Sequence, residues 1–212
     1  MMKKGIIFDL DGTLWDSIPS VTHGWNIALR RHPELNCILT EKDMRGFMGK
    51  TNPVIAQLML PSLTPEAAYD IVKECNIEEL AYLKDHPGTL YPGVPELLDR
   101  LSQEYPLYIV SNCDDGYVQT FLDVCGFWKY FEDIEMSGRT RKEKGENIRL
   151  IIERNHLDKA VYIGDTQGDL DASHVAGIPF IYAAYGFGTV DEDVPVIQTP
   201  SELTAHLSGF LD

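Results

Sequence analysis

Short apolar runs alternate with amphipathic stretches along most of this chain, and each run ends on glycine, aspartate or a hydroxyl residue. Gly5-Ile6-Ile7-Phe8-Asp9-Leu10 predicts a short buried strand, broken by the Asp11-Gly12 that follows. From Ser17 to about Lys84 the period is helical, with almost no strand signal. Val21, Trp25, Ala28 and Leu29 share one helical face. Thr51-Asn52-Pro53 predicts a helix start with proline in the first turn, leading into Val54, Ile55, Leu58 and Met59. Leu63-Thr64-Pro65-Glu66 opens another in the same way. His86-Pro87-Gly88 and Tyr91-Pro92-Gly93 then punctuate the chain.

After these breaks strand and helix alternate. Strands are expected at Leu107-Tyr108-Ile109-Val110, from Phe131 to Met136 (a weaker pattern), at Ala160-Val161-Tyr162-Ile163 and at Pro179-Phe180-Ile181-Tyr182. Helices are expected from Asp114 to Val124, from about Glu143 to Asn155, from Asp169 to Ala176, and after a cap at Ser201-Glu202-Leu203. The alternation predicts an α/β fold with a parallel sheet and helices on both faces. The first strand joins that sheet, so the helical block reads as an insertion. The expected division is a discontinuous, Rossmann-like core of residues 1–15 and 87–212, with a helical domain over 16–86. No internal repeat or low-complexity stretch is visible.

Composition narrows the classes. The 212 residues are 44% hydrophobic and 24% charged, enough to bury a core. A formal net charge of −15 argues against nucleic acid, whose phosphates require clustered Lys and Arg. The same acidity means that an anionic substrate needs local cations or a metal. Cys37, Cys75, Cys113 and Cys125 form no CxxC pair, which suits free thiols in a reducing compartment. Asp9 interrupts the apolar run behind Lys3 and Lys4, so no signal peptide is read there, and no stretch has membrane-spanning length. The expectation is a cytoplasmic protein with no membrane partner.

Ligands of open α/β sheets bind beyond the carboxyl ends of strands. Asp9 and Asp11 follow the first strand, Ser111-Asn112 the second and Gly164-Asp165 the fourth, with Asp169 shortly after. Taken singly, each has an ordinary reading, Asp-Gly as a turn and Asp165 or Asp169 as a helix cap. Together, Asp9, Asp11, Asp165 and Asp169 would converge at one end of the sheet if the strands are neighbours. Such a cluster repels itself unless a cation sits in it, and a hard divalent ion such as magnesium (Mg2+) suits oxygen ligands beside a phosphate.

These residues resemble the four signatures of the haloacid-dehalogenase superfamily. Phe8-Asp9-Leu10-Asp11-Gly12-Thr13-Leu14 is similar to its DxDGT motif and Val110-Ser111-Asn112 to its second motif. Lys144 stands for the third, and Gly164-Asp165-Thr166-Gln167-Gly168-Asp169 resembles the fourth. The helical insertion resembles the cap of the phosphoglycolate-phosphatase-like branch. The resemblance implies a magnesium-dependent phosphatase for a small phosphorylated metabolite, of phosphoglycolate or sugar-phosphate type. Asp9 would be the nucleophile that becomes an aspartyl-phosphate, and Asp11 the acid and base. The metal would sit on the Asp9 carboxylate, the Asp11 carbonyl and Asp165, with Asp169 as ligand or anchor. The Ser111 hydroxyl, the Gly12 N–H and Asn112 would hold substrate, and Lys144 would offset the charge of Asp9 and phosphate.

Arg141-Lys142-Glu143-Lys144 lacks the family's frequent Lys-Pro pair, and Lys142 is the alternative site lysine. In the cap, Gly49-Lys50-Thr51 resembles the end of a P-loop, but Met44 stands where that fingerprint needs glycine. A glycine-hinged loop presenting Arg45 or Lys50 to substrate is the better reading. Trp15, Trp25 and His23 are candidates for the cleft, His23 without an assigned role. A phosphomutase of β-phosphoglucomutase type shares all of these features. A non-catalytic metabolite-binding protein would lack Asp9 or Asp11, and both are present.

Overall fold

The apolar runs pair side by side because each is flanked by segments able to cover it. The computed structural model describes residues 2–211. Its elements are β1 (Lys4–Phe8), β2 (Trp15–Asp16), α1 (Ile18–Leu29), α2 (Glu41–Phe47), α3 (Asn52–Met59), α4 (Pro65–Asp85) and β3 (Thr89–Leu90). There follow α5 (Val94–Leu101), β4 (Leu107–Ser111), α6 (Tyr117–Cys125), β5 (Phe131–Met136), α7 (Ser137–Thr140) and α8 (Lys144–Arg154). The chain ends with β6 (Lys159–Gly164), α9 (Gln167–Ala176), β7 (Phe180–Ala183), β8 (Val196–Ile197) and α10 (Leu203–Leu211).

The main sheet has the order β5-β4-β1-β6-β7-β8, and every pairing in it is parallel. Successive side chains of a strand point to opposite faces, and both faces are covered. Ile6, Phe8, Leu107, Ile109, Val161 and Ile163 join one core with residues of α5, α6 and α10. Ile7, Tyr108, Val110 and Tyr162 join a second with Ile148 and Ile151 of α8 and Leu170 of α9. Burying one such side chain contributes about 1.5–3 kcal/mol. The centre of the sheet, where β1 lies between β4 and β6, is therefore the firmest place to mount a site.

The helical block leaves the core after β2 and returns at β3. These two strands pair antiparallel, Trp15 with Leu90 and Asp16 with Thr89. Within the block α1 packs along α4, and α2 and α3 pack against this pair. Val21, Trp25, Ala28 and Leu29 are all buried, as their shared face requires. Gly24 sets the closeness of α1 and α4, since a Cβ there would lie 2.8 Å from Glu79 Cα. In α3 only part of the expected apolar face turns inward. Ile55 is buried, whereas Val54 and Leu58, one turn apart, share an outward face.

Several boundaries differ from the sequence pattern. α6 begins at Tyr117, not Asp114, because Gly116 has φ 101° and cannot continue a right-handed helix through the preceding turn. The last helix begins at Leu203 after a tighter turn over Pro200–Glu202. β2, β3 and β8, of two residues each, are too short to show alternation in sequence. All four cysteines are free thiols. Among the described residues no helix is long and apolar enough to cross a membrane.

Candidate active site

The parallel register brings the candidate residues to one end of the sheet. Phe8 of β1 aligns with Ile109 of β4 and Ile163 of β6, so the residues just beyond them meet. The Asp9 N–H donates to the Ile163 carbonyl at 2.8 Å, carrying strand geometry one residue past β1. Asp165 follows β6 directly. Asp169 is held by a capping box on α9: its N–H donates to Thr166 Oγ1, and its Oδ2 accepts from the Thr166 N–H and hydroxyl. Asp9, Asp165 and Asp169 are all buried, each with a carboxylate oxygen within 4.8 Å of the others.

Lys144, the first residue of α8, reaches into this cluster. Its Nζ donates to Asp9 Oδ1 at 2.9 Å and to Asp169 Oδ1 at 2.6 Å, with the lysine itself 4% exposed. Burial alone would depress the ammonium, but Asp169 and Asp9 outweigh it and hold it above its ordinary value. Lys142, two residues earlier, is exposed and is engaged through its backbone, its N–H donating to Thr140 Oγ1 and its carbonyl accepting from Asn147 Nδ2. Burial and the charge of Asp169 push the Asp9 carboxyl well up, with Lys144 opposing them. Asp169 has little left to offer a metal. Its Oδ1 accepts from Lys144 and Tyr162, its Oδ2 from Asp165 and Thr166.

Asp11 stands apart from this cluster. The turn after β1 needs Gly12, whose φ is +86° and where a Cβ would collide with the Asp165 carboxylate. Past that turn, Asp11 Oδ1 accepts from Trp15 Nε1 at 2.9 Å, Ser17 Oγ at 2.5 Å and Tyr117 Oη at 2.8 Å. Burial pushes the Asp11 carboxyl up, and the three donors hold it back. The expectation for Gly12 needs correction: its N–H donates to the Trp15 carbonyl at 2.9 Å, closing the turn, and is not free for a phosphate. Trp15 is likewise fully buried beneath Asp11 and does not line the cleft.

Asp9, Asp11, Ser111 and Lys144 line a cavity of about 60 Å³ between the sheet and the helical block. Ser111 Oγ accepts from the Cys113 N–H. Asn112 lines the same cavity but has both polar atoms engaged, donating to the Gly49 carbonyl at 2.8 Å and accepting from Ser137 Oγ at 2.8 Å. The side chain thus ties the Gly49 loop to the core. Lys50 is exposed at the rim, and Arg45 lies over the Phe187 ring at 5.0 Å, away from this cavity. Trp25 lines it, whereas His23 is exposed and stacks on Tyr82. Tyr117, Asn76 and Glu79 also line the cavity and escape the sequence pattern.

A divalent cation fits the residues present. The donors are oxygens only, and Asp165 Oδ1 is buried with no hydrogen-bond partner, its Oδ2 accepting from the Phe187 N–H. One ammonium faces three buried carboxylates. Burial and Asp169 raise Asp165 from the ordinary 3.8 to about 7, and burial raises Asp9 and Asp11 too. The folded chain therefore binds these protons more tightly than the unfolded chain, and metal-free stability falls as pH rises through that window. In chelator the melting temperature should be higher at about pH 5 than at about pH 8, and added Mg2+ should raise it most at the higher pH. Scanning calorimetry checks this; a metal-free protein indifferent to pH over this range would contradict it.

A family model described as haloacid dehalogenase-like hydrolase matches residues 6–183. A phosphoglycolate phosphatase of Rhodobacter capsulatus is 30% identical over 222 residues, covering 100% of this chain and 94% of its own length. One from Nitrosococcus oceani is 30% identical over 193 residues, covering 86% and 84%. Among solved structures, a haloacid dehalogenase-like hydrolase of Streptococcus pneumoniae superposes with a TM-score of 0.80 at 24% identity, covering 97% of this chain and 98% of its own. A hydrolase of Pseudomonas syringae does so with a TM-score of 0.78 at 20% identity, covering 99% and 100%. The fold, the strand-end carboxylates and these matches agree: the chain belongs to the haloacid dehalogenase-like hydrolase family.

Proposed function

We propose that this phosphatase hydrolyses a small phosphate monoester, of phosphoglycolate or sugar-phosphate type, through an aspartyl-phosphate on Asp9. The observation that carries the reading is the buried Lys144 ammonium joining Asp9 to Asp169 beside the unpartnered Asp165 oxygen. The names of the Rhodobacter and Nitrosococcus relatives support a phosphate ester as substrate. Residues 16–86 serve as a cap over the cleft, a reading supported by the β2–β3 ribbon at its base and by the Asn112–Gly49 hydrogen bond at its tip.

Lys144 holds one oxygen of Asp9, which fixes the carboxylate and leaves Oδ2 to attack phosphorus. As the Asp9 O–P bond forms, the bond from phosphorus to the leaving oxygen breaks, and protonated Asp11 gives that oxygen its proton. Asp11 then takes a proton from the water that attacks the aspartyl-phosphate, returning Asp9 as carboxylate and releasing inorganic phosphate. Trp15, Ser17 and Tyr117 hold Asp11 Oδ1, so the other oxygen carries the proton in both steps. The Ser111 hydroxyl donates to a phosphate oxygen, and Lys144 offsets the charge that nucleophile and phosphate share. Asp9, Asp165 and the Asp11 carbonyl, with Asp169 as anchor, would hold Mg2+, which when bound would supply the remaining positive charge. Asn112 keeps the cap loop seated, and Lys50 at the rim meets the incoming anion.

Asp9→Asn should remain folded and release no phosphate from p-nitrophenyl phosphate, and chelator should stop the wild type. A folded mutant with near wild-type turnover would remove Asp9 as nucleophile. The two lysines separate by reach. Lys144→Ala should lose roughly 10²–10³-fold in kcat, as for loss of an oxyanion donor, and Lys142→Ala no more than about threefold. Under saturating Mg2+, the reverse ranking would move the site cation to Lys142. Tyr117→Phe, which deletes one of three donors to Asp11, should cost up to roughly tenfold in kcat with KM little changed. A change in KM alone would make Tyr117 a substrate contact.

A further inference from the structure

One short segment of the core touches both the cation site and the helical block. It runs through Tyr185, Gly186, Phe187 and Gly188, on the way from β7 to β8. The Phe187 N–H donates to Asp165 Oδ2 at 2.7 Å, while Asp165 Oδ1 is buried without a partner. This amide therefore sets the rotation of a carboxylate that lies within 4.8 Å of those of Asp9 and Asp169. Gly186 lets the segment come so near, since a Cβ there would collide with Asp165 and the Gly12 carbonyl. The Phe187 ring lies under the Arg45 guanidinium, 5.0 Å from the ring centroid. Both residues line a second cavity of about 370 Å³, between the loop after α2 and the start of α9. At the tip of the helical block this contact is the counterpart of the Asn112–Gly49 hydrogen bond. One lies beyond β7 and the other beyond β4, on opposite sides of β1.

We infer that Phe187 is a positioning residue of the cation site: its N–H aims Asp165, and its ring links that aim to the seating of residues 45–50 through Arg45. Magnesium and the seated helical block then favour each other, which rests on Asp165 being a magnesium ligand. The partner of a ligating carboxylate fixes its orientation and so lowers the cost of binding the ion. Here that partner is one half-buried residue between two glycines. The Gly186 N–H donates to the Ala183 carbonyl, and Tyr182 Oη donates to the Gly188 carbonyl at 2.8 Å, so both flanks are pinned. Between these pins Phe187 is held by Asp165 at its N–H and by Arg45 at its ring. A coupling of this kind is reciprocal: what seating does for the ion, the ion does for seating. Its size is bounded by the contact that carries it, roughly two- to fivefold for an exposed cation over an aromatic ring. Charge alone predicts the opposite sign. Removing Arg45 takes a positive charge from the surroundings of a divalent cation, which would tighten its binding.

The test is a calorimetric titration of Mg2+ into the metal-free protein, for wild type, Arg45→Ala, Phe187→Leu and the double variant. Phe187→Leu keeps the N–H and an apolar side chain and removes only the aromatic face. Each single variant should bind Mg2+ roughly two- to fivefold more weakly. The double variant should be no weaker than the singles, because both remove the same contact. Arg45→Lys, which can occupy the same ring face, should restore most of the loss. Hydrogen exchange of the amides of residues 46–50 gives the second readout. Mg2+ should slow it in wild type and leave it unchanged in Arg45→Ala. Unaltered or tighter Mg2+ binding by Arg45→Ala would overturn the inference. So would full additivity in the double variant, or slowing by Mg2+ that persists without Arg45. Arg45 is exposed, so Arg45→Ala carries the test whatever Phe187→Leu does to packing. Failure of the underlying metal reading has its own signature: wild type takes up no Mg2+, and the coupling falls with it. Equal Mg2+ affinity in all variants leaves the metal in place and removes the coupling alone.

Discussion

Three carboxylates buried within 4.8 Å of one another are the condition that the rest of this molecule has to meet. Taking even one ionised carboxylate out of water is expensive, and neighbouring like charges add to the cost. The chain answers with one ammonium. Lys144 is 135 residues from Asp9 and 25 from Asp169 in sequence, so its two contacts bind α8, β1 and α9 at a single point. The start of α8, the β1–β6 register and the α9 capping box are each constrained by that geometry. One positive charge against three negative ones leaves a deficit, concentrated at the unpartnered Asp165 oxygen. A site short of positive charge is what a divalent cation and a phosphate can share, and an apolar substitute could not provide it.

The same principle gives two neighbouring aspartates different environments. Asp9 continues the line of β1 and meets a cation; Asp11 lies beyond the break and meets an indole, a hydroxyl and a phenol. The ammonium aims the Asp9 carboxylate and opposes the burial that pushes its carboxyl up. A carboxylate held by neutral donors inside a mostly buried turn can exchange a proton at modest cost, which is what an acid and base must do. The Gly12 N–H contributes to this division indirectly. By closing the turn onto Trp15 it brings the indole up to Asp11, a positional use of glycine in place of the phosphate contact expected from the motif.

Legibility in the sequence followed contact range. Five strands of the six-stranded sheet, all but the two-residue β8, were readable because their apolar runs and breaks are local, and Asp9, Asp165 and Asp169 because strand ends in a parallel sheet share an edge. The distinction between Lys144 and Lys142 was partly readable, since it depends on where one helix starts. The partners of Asp11 were not. Tyr117 lies 106 residues away, at the head of a helix whose start depends on Gly116 rather than on the polar Asp114. Glu79 was hidden for another reason. α4 is a long helix with many acidic residues, and although Glu79 shares the buried face of Val72, Cys75 and Leu83, an acidic side chain there does not read as a core position. What puts it there is Gly24 on α1, which lets the two helices close until Glu79 is inside.

That closure bears on how an acidic protein handles anionic substrates. A net charge of −15 is a long-range disadvantage, but salt screens it over about 10 Å, and binding is decided within the cleft. There the charges are segregated by depth. The Lys144 ammonium lies at the strand ends between Asp9 and Asp169, while the buried polar side chains that line the cavity from the helical block are Asn52, Asn76 and Glu79. Gly24 couples the two levels: by fixing how near α4 stands to α1, it decides which side chains of α4 reach the cavity at all.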